Sequence, residues 1–322
     1  MERRFLSVLL AGTIMLSGAS VRAEINLAEE PVQPVPAAPV LDRDKVKLGE
    51  RVFFDVRLSA NKVLSCATCH NPQTGGTIPG VTTSVPGASG VTVSINIPTV
   101  LNSGANETQF WNGRSPDLED QVGGPLENPD EMGAKWADVL AMMAGDEAYQ
   151  TAFDAVYGGI TEEAVRDAVA TYERSLTTHD APFDRYLQGD ETAVSDQVKR
   201  GYDVFKEIGC TTCHTGSNVG GTMFMAMSED YFADRGTEIL ETDLGRMAVT
   251  HDEADKHVFR VPPLRNVAVT PPYLHDGQAE TLEEAVEIMA KYQLGMAEGE
   301  LSPADRDAIV AFLKSLNGKL AE

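Results

Sequence analysis

Cysteine, basic residues and long apolar runs are all scarce in this sequence. Its 322 residues include only four cysteines, and 26 lysines and arginines stand against 49 aspartates and glutamates, a formal charge of -23. Because no basic cluster or glycine-rich phosphate loop is present, no nucleic-acid partner is expected. The acidity would attract a basic partner at low salt, or it simply keeps the chain in solution. Beyond residue 23 no apolar run reaches the roughly 20 residues that a membrane helix needs.

The longest apolar run lies at the beginning of the chain. Arg3 and Arg4 precede the apolar residues 5–16, and small residues follow as far as Ala23. This pattern is typical of a cleaved secretory signal, and the run is too short to cross a bilayer. We therefore expect residues 1–23 to be a signal peptide and the mature protein to reside in a bacterial periplasm.

All four cysteines belong to two pentapeptides with the same pattern, Cys66-Ala67-Thr68-Cys69-His70 and Cys210-Thr211-Thr212-Cys213-His214. Two thiols separated by two residues and followed by histidine suit a c-type haem, with two thioether links and an imidazole ligand to iron. A disulfide framework is the alternative, but it would leave both histidines as coincidences. The sequence therefore predicts two covalently bound haem c groups.

A second repeat surrounds the two haem motifs. Residues 49–53 precede the first motif and residues 201–205 the second, each with an aromatic residue four places after glycine. Late in each half, residues 168–176 and 308–316 share alanine, an aromatic, serine and leucine at the same spacing. A glycine on an early helix and an aromatic on a late helix would let the two helices cross closely over a haem edge, as in a small cytochrome c.

Most of the remaining chain has helical periodicity. The predicted helices span residues 45–54, 135–143, 161–176, 194–205, 281–292 and 303–316. We expect a loosely ordered lead-in at 24–41, a long loop beside the first haem at 71–105 and an interdomain connection at 180–190. The fold class is therefore mainly α, with two cytochrome c-like (class I) haem domains at 24–189 and 190–322.

The two motifs differ in what the sequence offers for the second axial position on iron. His70 and His214 supply the first position at each haem. A methionine would complete an electron-accepting site at the second haem, but spacing does not separate the six candidates of the C-terminal half. They are Met223, Met225, Met227, Met247, Met289 and Met296. Residues 71–130 contain neither histidine nor methionine. Unless a residue of the second domain reaches across, the first iron is therefore predicted to keep an open or water-filled position that peroxide can reach.

Gln121 and Glu131 are polar candidates near this open position. Breaking an O–O bond requires a group that moves a proton from the inner to the outer oxygen, and a carboxylate within one hydrogen bond can do so. From the residues alone, Glu131 is more simply a solvated residue of the turn at 128–133.

Six further sequence runs, together with the two haem motifs, carry a resemblance to a known family. The chain resembles the bacterial dihaem cytochrome c peroxidases, a family that also includes the methylamine-utilisation enzyme MauG. The runs are 70–76 (HNPQTGG), 98–102 (PTVLN), 109–114 (QFWNGR), 243–246 (DLGR), 261–267 (VPPLRNV) and 272–277 (PYLHDG). The resemblance covers nearly all of the mature chain. It implies a homodimer that reduces hydrogen peroxide to water with electrons from a small cytochrome c or cupredoxin.

The resemblance also implies roles for the haem ligands. His70 would be the proximal ligand of the peroxidatic haem and His214 that of the electron-transferring haem. Met289 falls where the family has its methionine ligand, whereas MauG-type enzymes have tyrosine there. Trp111 matches the tryptophan that lies between the haems, and His275 is expected to hydrogen-bond near the second haem.

Further roles implied by the resemblance concern peroxide and calcium. Gln121 and Glu131 match the distal glutamine and glutamate. Asn96, Thr270 and Pro272 match a calcium site between the domains, where an amide and backbone carbonyls suit this hard ion.

One departure from the family concerns the loop after the first haem motif. Many members carry a histidine there that caps the peroxidatic iron until the other haem is reduced. The corresponding residues 84–90 (SVPGASG) contain no histidine. We therefore predict that the first haem is ready for peroxide in the fully oxidised protein.

Three other histidines, His179, His251 and His257, have charged neighbours in the sequence and are predicted to lie on the surface. The favoured function is a periplasmic dihaem cytochrome c peroxidase. Two alternatives remain: a MauG-like oxidase acting on a protein or organic substrate, and a dihaem electron carrier without catalysis.

Overall fold

The computed structural model describes residues 25–81, 86–92 and 94–320. The predicted signal peptide lies outside these residues, as do Ser84 and Val85 of the loop after the first haem motif. Regular structure is almost entirely helical, which confirms the mainly α prediction. Within the described ranges, no helix combines the length and the apolar composition needed to cross a membrane.

The helices follow one another along the whole described chain. They are α1 (Arg43–Phe53), α2 (Cys66–Cys69), α3 (Leu118–Glu127), α4 (Trp136–Ala144), α5 (Glu147–Tyr157), α6 (Glu162–Ser175), α7 (Pro182–Leu187), α8 (Asp196–Glu207), α9 (Glu229–Arg235), α10 (Met247–Thr250), α11 (Leu282–Tyr292) and α12 (Pro303–Ser315). The strands are β1 (Thr178–His179), β2 (Phe224–Ala226), β3 (Val258–Arg260) and β4 (Lys319–Leu320). They form two antiparallel pairs, β1 with β4 and β2 with β3.

Side-chain caps explain where the late helix of each half begins. Thr161 Oγ1 accepts a hydrogen bond from the backbone N–H of Ala164 at 3.2 Å. Ser302 Oγ accepts one from the backbone N–H of Asp305 at 3.1 Å, and Pro303 occupies the first turn. Each cap satisfies a backbone donor that the helix itself cannot pair. All six helices predicted from periodicity are confirmed, with ends within two residues of those expected.

Each half is built on a close crossing of its early and late helices, α1 with α6 and α8 with α12. A Cβ atom added to Gly49 would lie 1.9 Å from the carbonyl oxygen of Ala168. A Cβ atom added to Gly201 would lie 1.9 Å from the carbonyl oxygen of Ala308. Because no side chain fits at such a distance, glycine is required at both positions. The crossing predicted from the repeat is confirmed in both halves.

A hydrophobic core surrounds each crossing. Phe53 and Tyr149 are fully buried in the N-terminal core, and Phe183 and Phe312 in the C-terminal core. Phe183 belongs to α7, so the segment expected as an interdomain connection contains a helix packed into the C-terminal core. The boundary between residues 189 and 190 stays a prediction.

The lead-in at the start of the described chain packs against the C-terminal half. Val32 is fully buried in the C-terminal core. The backbone N–H of Gly216 donates to the carbonyl oxygen of Pro31 at 2.8 Å, and Gln33 donates back to Gly216 at 3.2 Å. The expectation of a loosely ordered lead-in is therefore wrong for these residues, because contacts distant in sequence hold them.

One threonine joins equivalent positions of the two halves. Asn102 Nδ2 donates to Thr178 Oγ1 at 2.9 Å, and Asn266 Nδ2 donates to the same oxygen at 2.8 Å. All three side chains are buried. Both asparagines have left-handed backbone conformations, with φ of 58° and 59°, which asparagine tolerates better than most residues.

Candidate active site

A cavity of about 510 Å³ is lined mostly by residues of the N-terminal half and partly by residues of the C-terminal half. His70, at the end of the first haem motif, lines it together with Trp111, Gln121 and Glu131. Cys66 and Cys69 also reach its wall. The structure thus brings the first haem motif together with the three residues predicted for the peroxidatic site.

The first haem motif is presented by the short helix α2. The backbone N–H of Ser65 donates to Thr68 Oγ1 at 2.9 Å, and the N–H of His70 donates to the carbonyl of Cys66 at 2.9 Å. These bonds turn the chain so that both thiols and the imidazole follow one another around the cavity wall. None of the four cysteines forms a disulfide. Burial lowers the pKa of His70, which favours the neutral imidazole that metal ions bind.

The imidazole of the second haem motif is also held in the neutral form. His214 Nδ1 lies 3.2 Å from the carbonyl oxygen of Val219, to which it donates as the neutral ring, leaving the Nε2 lone pair for a metal. Burial lowers the pKa of His214 to about 4. Neutral imidazoles and free thiols in both motifs fit two haem c groups.

Arg260 provides an independent test of whether the cavity suits a haem. It lines the cavity and is only 3% exposed, and its Nε donates to the carbonyl oxygen of Phe110 at 3.2 Å. Its buried Nη1 has no hydrogen-bond partner among the described residues, and burial lowers its pKa to about 10. A buried, unpaired cation is costly. The anionic propionate of a haem would supply the missing partner, and nothing in the local sequence of Arg260 predicted this position.

Glu131 lies in the turn after α3 and is partly buried. Asn128 Nδ2 donates to its Oε1 at 2.8 Å. Burial raises the pKa of Glu131, an effect opposed by the Asn128 hydrogen bond and the charge of Arg114. A raised pKa suits a group that takes and returns a proton near neutral pH. Its position on the cavity wall differs from that of a freely solvated turn residue, and its catalytic role stays a prediction.

The loop after the first haem motif is seated on the Glu131 turn. The backbone N–H of Ala88 donates to the carbonyl oxygen of Glu131 at 2.7 Å, and that of Ser89 donates to Pro129 at 2.9 Å. A Cβ atom added to Gly87 would lie 2.0 Å from the carbonyl oxygen of Asp130. The described part of this loop, residues 86–92, therefore supports Glu131.

Trp111 connects the cavity to a group of buried side chains in the C-terminal half. Its Nε1 donates to the carbonyl oxygen of Asn96 at 2.9 Å. Its ring centroid lies 6.4 Å from that of His275 in an edge-to-face arrangement. It also packs against an aromatic cluster of Met227, Tyr231, Phe232 and Phe259, which Met289 contacts as well. Trp111 thus lies between the first haem cavity and the predicted methionine ligand.

His275 is held by a network of buried charges. Its Nε2 lies 2.8 Å from Asp243 Oδ1, and its ring stacks on Phe259 with centroids 4.3 Å apart. Arg235 pairs with Asp243 at 2.6 Å and with Asp276 at 2.9 Å. Burial would raise the pKa of Asp243, but hydrogen bonds from Arg235 and His275 outweigh it and lower the pKa. His275 thus hydrogen-bonds to a carboxylate, and its expected place near the second haem stays a prediction.

The predictions for the other histidines have mixed outcomes. His251 is exposed as predicted, and His179 is partly buried in β1. The prediction for His257 is wrong, since it is 3% exposed, stacks on Phe232 at 3.9 Å and contacts the carbonyl oxygen of Asp243 at 2.7 Å. Its charged sequence neighbours do not indicate this packing.

The internal repeat shows that the two halves have different side chains at the position of the predicted methionine ligand. The offset that relates Asn102 to Asn266 also relates Phe110 to Leu274, both with left-handed φ, of 67° and 69°. The same offset relates α3 to α11 and places Pro125 where α11 has Met289. Proline has no side-chain donor for iron. The N-terminal half therefore lacks a methionine at the equivalent position.

The predicted calcium ligands come only partly together. Asn96 is buried, and its Nδ2 lies 2.7 Å from the carbonyl oxygen of Pro272 and 2.9 Å from that of Leu274. An amide nitrogen does not bind calcium, so the side chain would have to rotate by half a turn to present Oδ1. The hydroxyl of Thr270 donates to the carbonyl oxygen of Val267 at 3.0 Å, which leaves its backbone carbonyl as the ligand that the resemblance implies.

Two family models match the chain. The model of di-haem cytochrome c peroxidases matches residues 43–192, and a model of di-haem oxidoreductases matches residues 140–316. Each matched range includes one of the two haem motifs.

Curated proteins and a solved structure are similar over most of the chain. The cytochrome c peroxidase Ccp of Escherichia coli strain K12 is 46% identical over 90% of this chain, which spans 61% of that protein's length. The cytochrome c551 peroxidase of Nitrosomonas europaea is 40% identical over 99% of this chain and 93% of its own. The crystal structure of a MauG-like protein associated with microbial copper homeostasis is 28% identical, with a TM-score of 0.75 over 90% of this chain and 93% of that one.

Proposed function

The chain belongs to the di-haem cytochrome c peroxidase family, and from that premise we propose that it reduces hydrogen peroxide to water with electrons delivered singly by a small redox protein. The observation that carries this proposal is the single cavity shared by His70, Gln121 and Glu131. The family implies two haem c groups, and each haem motif has the free thiols and neutral imidazole that one such group needs.

Glu131 is assigned the proton transfer. Reduction of hydrogen peroxide breaks one O–O bond and consumes two electrons and two protons, giving two molecules of water. When bound, the haem supplies the iron that holds peroxide and passes electrons to it. Glu131 takes the proton of the inner oxygen and returns it to the outer oxygen as the bond breaks. Asn128 orients the carboxylate, and Gln121 offers an amide to the bound peroxide.

Trp111 is assigned the route between the two haems. It lines the first cavity and packs against the aromatic cluster that Met289 contacts. Met289 and His214 would both bind the iron of the C-terminal haem, and this ligand pair would suit that haem to accept single electrons. The formal charge of -23 favours a basic donor at low salt, and a small cytochrome c or a cupredoxin fits this requirement.

The N-terminal haem is proposed to accept peroxide without prior reduction of the other haem. Residues 84–90 contain no histidine, and the described residues 86–90 are bonded to the Glu131 turn. Pro125 offers no ligand at the position equivalent to Met289. No conformational release of a capping side chain is therefore required.

We also propose that the protein works in the periplasm as a homodimer with a calcium ion at Asn96, Thr270 and Pro272. The N-terminal sequence pattern supports export. The proximity of Asn96 to Pro272 supports a shared ion once the amide turns. The dimer rests on the family resemblance.

MauG-like oxidation of a protein or organic substrate is the second candidate function. The histidine-free loop and the similarity to a MauG-like structure favour it. Met289 counts against it, because tyrosine is expected at this position in MauG-type enzymes.

Steady-state turnover of the holoprotein with hydrogen peroxide and a reduced cytochrome c tests the proposed function. We expect sustained turnover, and Glu131→Gln should reduce kcat by roughly 100-fold to 10,000-fold, since it removes the acid/base. Glu127→Gln is the matched control, because Glu127 is the exposed last residue of α3 and should leave kcat unchanged. Full activity of Glu131→Gln would refute the acid/base role. Absence of turnover in the unmodified protein would favour the MauG-like or carrier alternative.

A further inference from the structure

At a buried position that faces the first haem cavity, the late helix of the N-terminal half has an acid where the late helix of the C-terminal half has an apolar residue. Ser175 Oγ donates to the carbonyl oxygen of Tyr172 at 2.6 Å, and Ser315 Oγ donates to that of Phe312 at 2.6 Å. With the glycine contacts of Ala168 and Ala308, these bonds align α6 with α12 residue by residue. In this alignment Glu173 is equivalent to Leu313, and both residues are buried.

Glu173 is a buried acid without a partner. It is 5% exposed and lines the same cavity as Cys66 and His70. Its carboxylate makes no hydrogen bond or ion pair with any residue that the structure describes. The equivalent leucine fills the C-terminal core without any such cost, so this carboxyl group is not required by the helix crossing itself.

Several titratable groups lie near Glu173, and the basic one among them pairs with another acid. Arg174, the next residue of α6, forms a bidentate pair with Glu119 of α3 at 2.7 and 2.6 Å. Cys66 faces Glu173 from α2 but loses its titrating proton once it forms a thioether. Glu131 lines the same cavity, and burial raises the pKa of Tyr172 to about 12. Burial raises the pKa of Glu173 to about 8, which favours the protonated acid at pH 7.

We propose that Glu173 is a positioning residue of the N-terminal haem, where it couples electron uptake by the haem to proton uptake. The C-terminal haem lacks this coupling, because the equivalent residue there is Leu313. The proposal rests on the proposed function only through the haem that fills the cavity. A carboxylate inside a low-dielectric cavity stabilises ferric over ferrous iron, so loss of its proton lowers the reduction potential. By linkage, reduction of the iron favours protonation of Glu173.

The coupling would serve peroxide reduction, which consumes one proton for each electron. A proton taken up beside the iron on reduction offsets the added negative charge inside the cavity. Glu173 is not assigned contact with peroxide, so its effect is on the potential of the iron rather than on bond cleavage.

Potentiometric titration of the holoprotein tests the proposal without peroxide. The potentials of both haems are measured by optical and EPR spectra from about pH 6 to about pH 10, on either side of the pKa of about 8. We expect the potential of the N-terminal haem to be flat at low pH and to fall as the pH rises through this pKa. The C-terminal haem of the same molecule is the internal control and should not show this fall.

Two substitutions locate the titrating group. Glu173→Gln keeps the shape of the side chain and should abolish the fall, and Glu173→Leu, which copies the C-terminal half, should do the same. Glu131→Gln should retain it, because the proposal places the titration on Glu173. An unchanged fall in Glu173→Gln, or its loss in Glu131→Gln alone, would overturn the proposal. Haem content is measured first, since failure to bind haem would sink the proposed function instead.

Discussion

Arg265 and Asp184 form a buried ion pair, with Nη1 and Oδ1 2.7 Å apart and side chains only 1% and 6% exposed. Arg265 also donates to the carbonyl oxygens of Ser217 and Gln33, each at 2.8 Å. The guanidinium therefore ties together α7, the lead-in and the loop that follows the second haem motif. Because each partner would be costly alone, the pair acts as a single structural unit.

Arg265→Met should destabilise the holoprotein by about 3–5 kcal/mol, since it leaves Asp184 buried without a counter-charge. The measurement is the free energy of unfolding in denaturant, followed by circular dichroism. Arg200→Met is the matched control: Arg200 pairs with Asp305 at the surface, with 51% of its side chain exposed, so this substitution should lower the free energy of unfolding far less. Equal losses for both variants would contradict the burial argument.

The helix crossings make a second stability prediction. Gly49→Ala should destabilise by about 1–3 kcal/mol or more, because the added methyl group would meet the carbonyl oxygen of Ala168. Gly145→Ala is the control, since its Cβ would lie 3.5 Å from the nearest atoms, an ordinary contact. Thermal unfolding of the two holoproteins compares them. A Gly49→Ala protein as stable as Gly145→Ala would show that α1 and α6 can separate without cost.

The oxidised protein should contain one high-spin and one low-spin haem. This follows from the absence of histidine and methionine in residues 71–130 and from the assignment of Met289 to the other iron. EPR of the fully oxidised protein measures the two signals. Met289→Leu should convert the low-spin signal to high spin, whereas Met225→Leu, at a partly exposed position, should not. A purely low-spin spectrum in the unmodified protein would mean that a side chain caps the first iron.

The pH dependence of turnover should follow Glu131. The carboxylate form takes the proton from peroxide, so kcat/KM should be lost as the pH falls through a pKa raised by burial. Asn128 stabilises that carboxylate by donating to it. Asn128→Ala should therefore raise the pKa further and move the acid limb of the profile to higher pH. An unmoved limb in Asn128→Ala would assign it to another group.

Removal of calcium tests the proposed ion. A chelator should lower turnover of the holoprotein, and added calcium should restore it if Asn96 turns its Oδ1 to the ion. Asn96→Ala removes that ligand, so calcium should rescue the variant poorly. Activity that withstands prolonged chelation would leave Asn96 as a hydrogen-bond donor to Pro272 and Leu274 alone.

The sequence predicted those parts of the fold that depend on local pattern. The helices with regular apolar periodicity were found, and so was the close approach of Gly49 to α6, because the repeat shows it twice. Helix α3, which carries Gln121, was not predicted, since Gly123, Gly124 and Pro125 interrupt its pattern. Its helical form depends on tertiary packing, which overrides these weak formers.

The candidate site was predictable where the residue types and their spacing define the chemistry. It was less predictable where the role of a residue depends on its burial. The haem motifs are defined by spacing, and the side chains of the first motif line one cavity with Gln121 and Glu131, as expected. His257 and Arg260 look like surface residues in the sequence, because their burial comes from partners far along the chain, such as Phe232 and Phe110. Polar residues of this kind are mostly exposed, so the general expectation fails at such positions.

Pro125 also bears on how such a protein could arise. If α3 and α11 descend from one duplicated helix and Met289 binds iron as proposed, a change at this single position gives the two haems different roles, reaction with peroxide at one iron and electron storage at the other. Neither copy had to alter its fold, since the glycine crossings persist in both halves. The two haem domains would then first have acquired different roles through a missing iron ligand rather than through an added catalytic group.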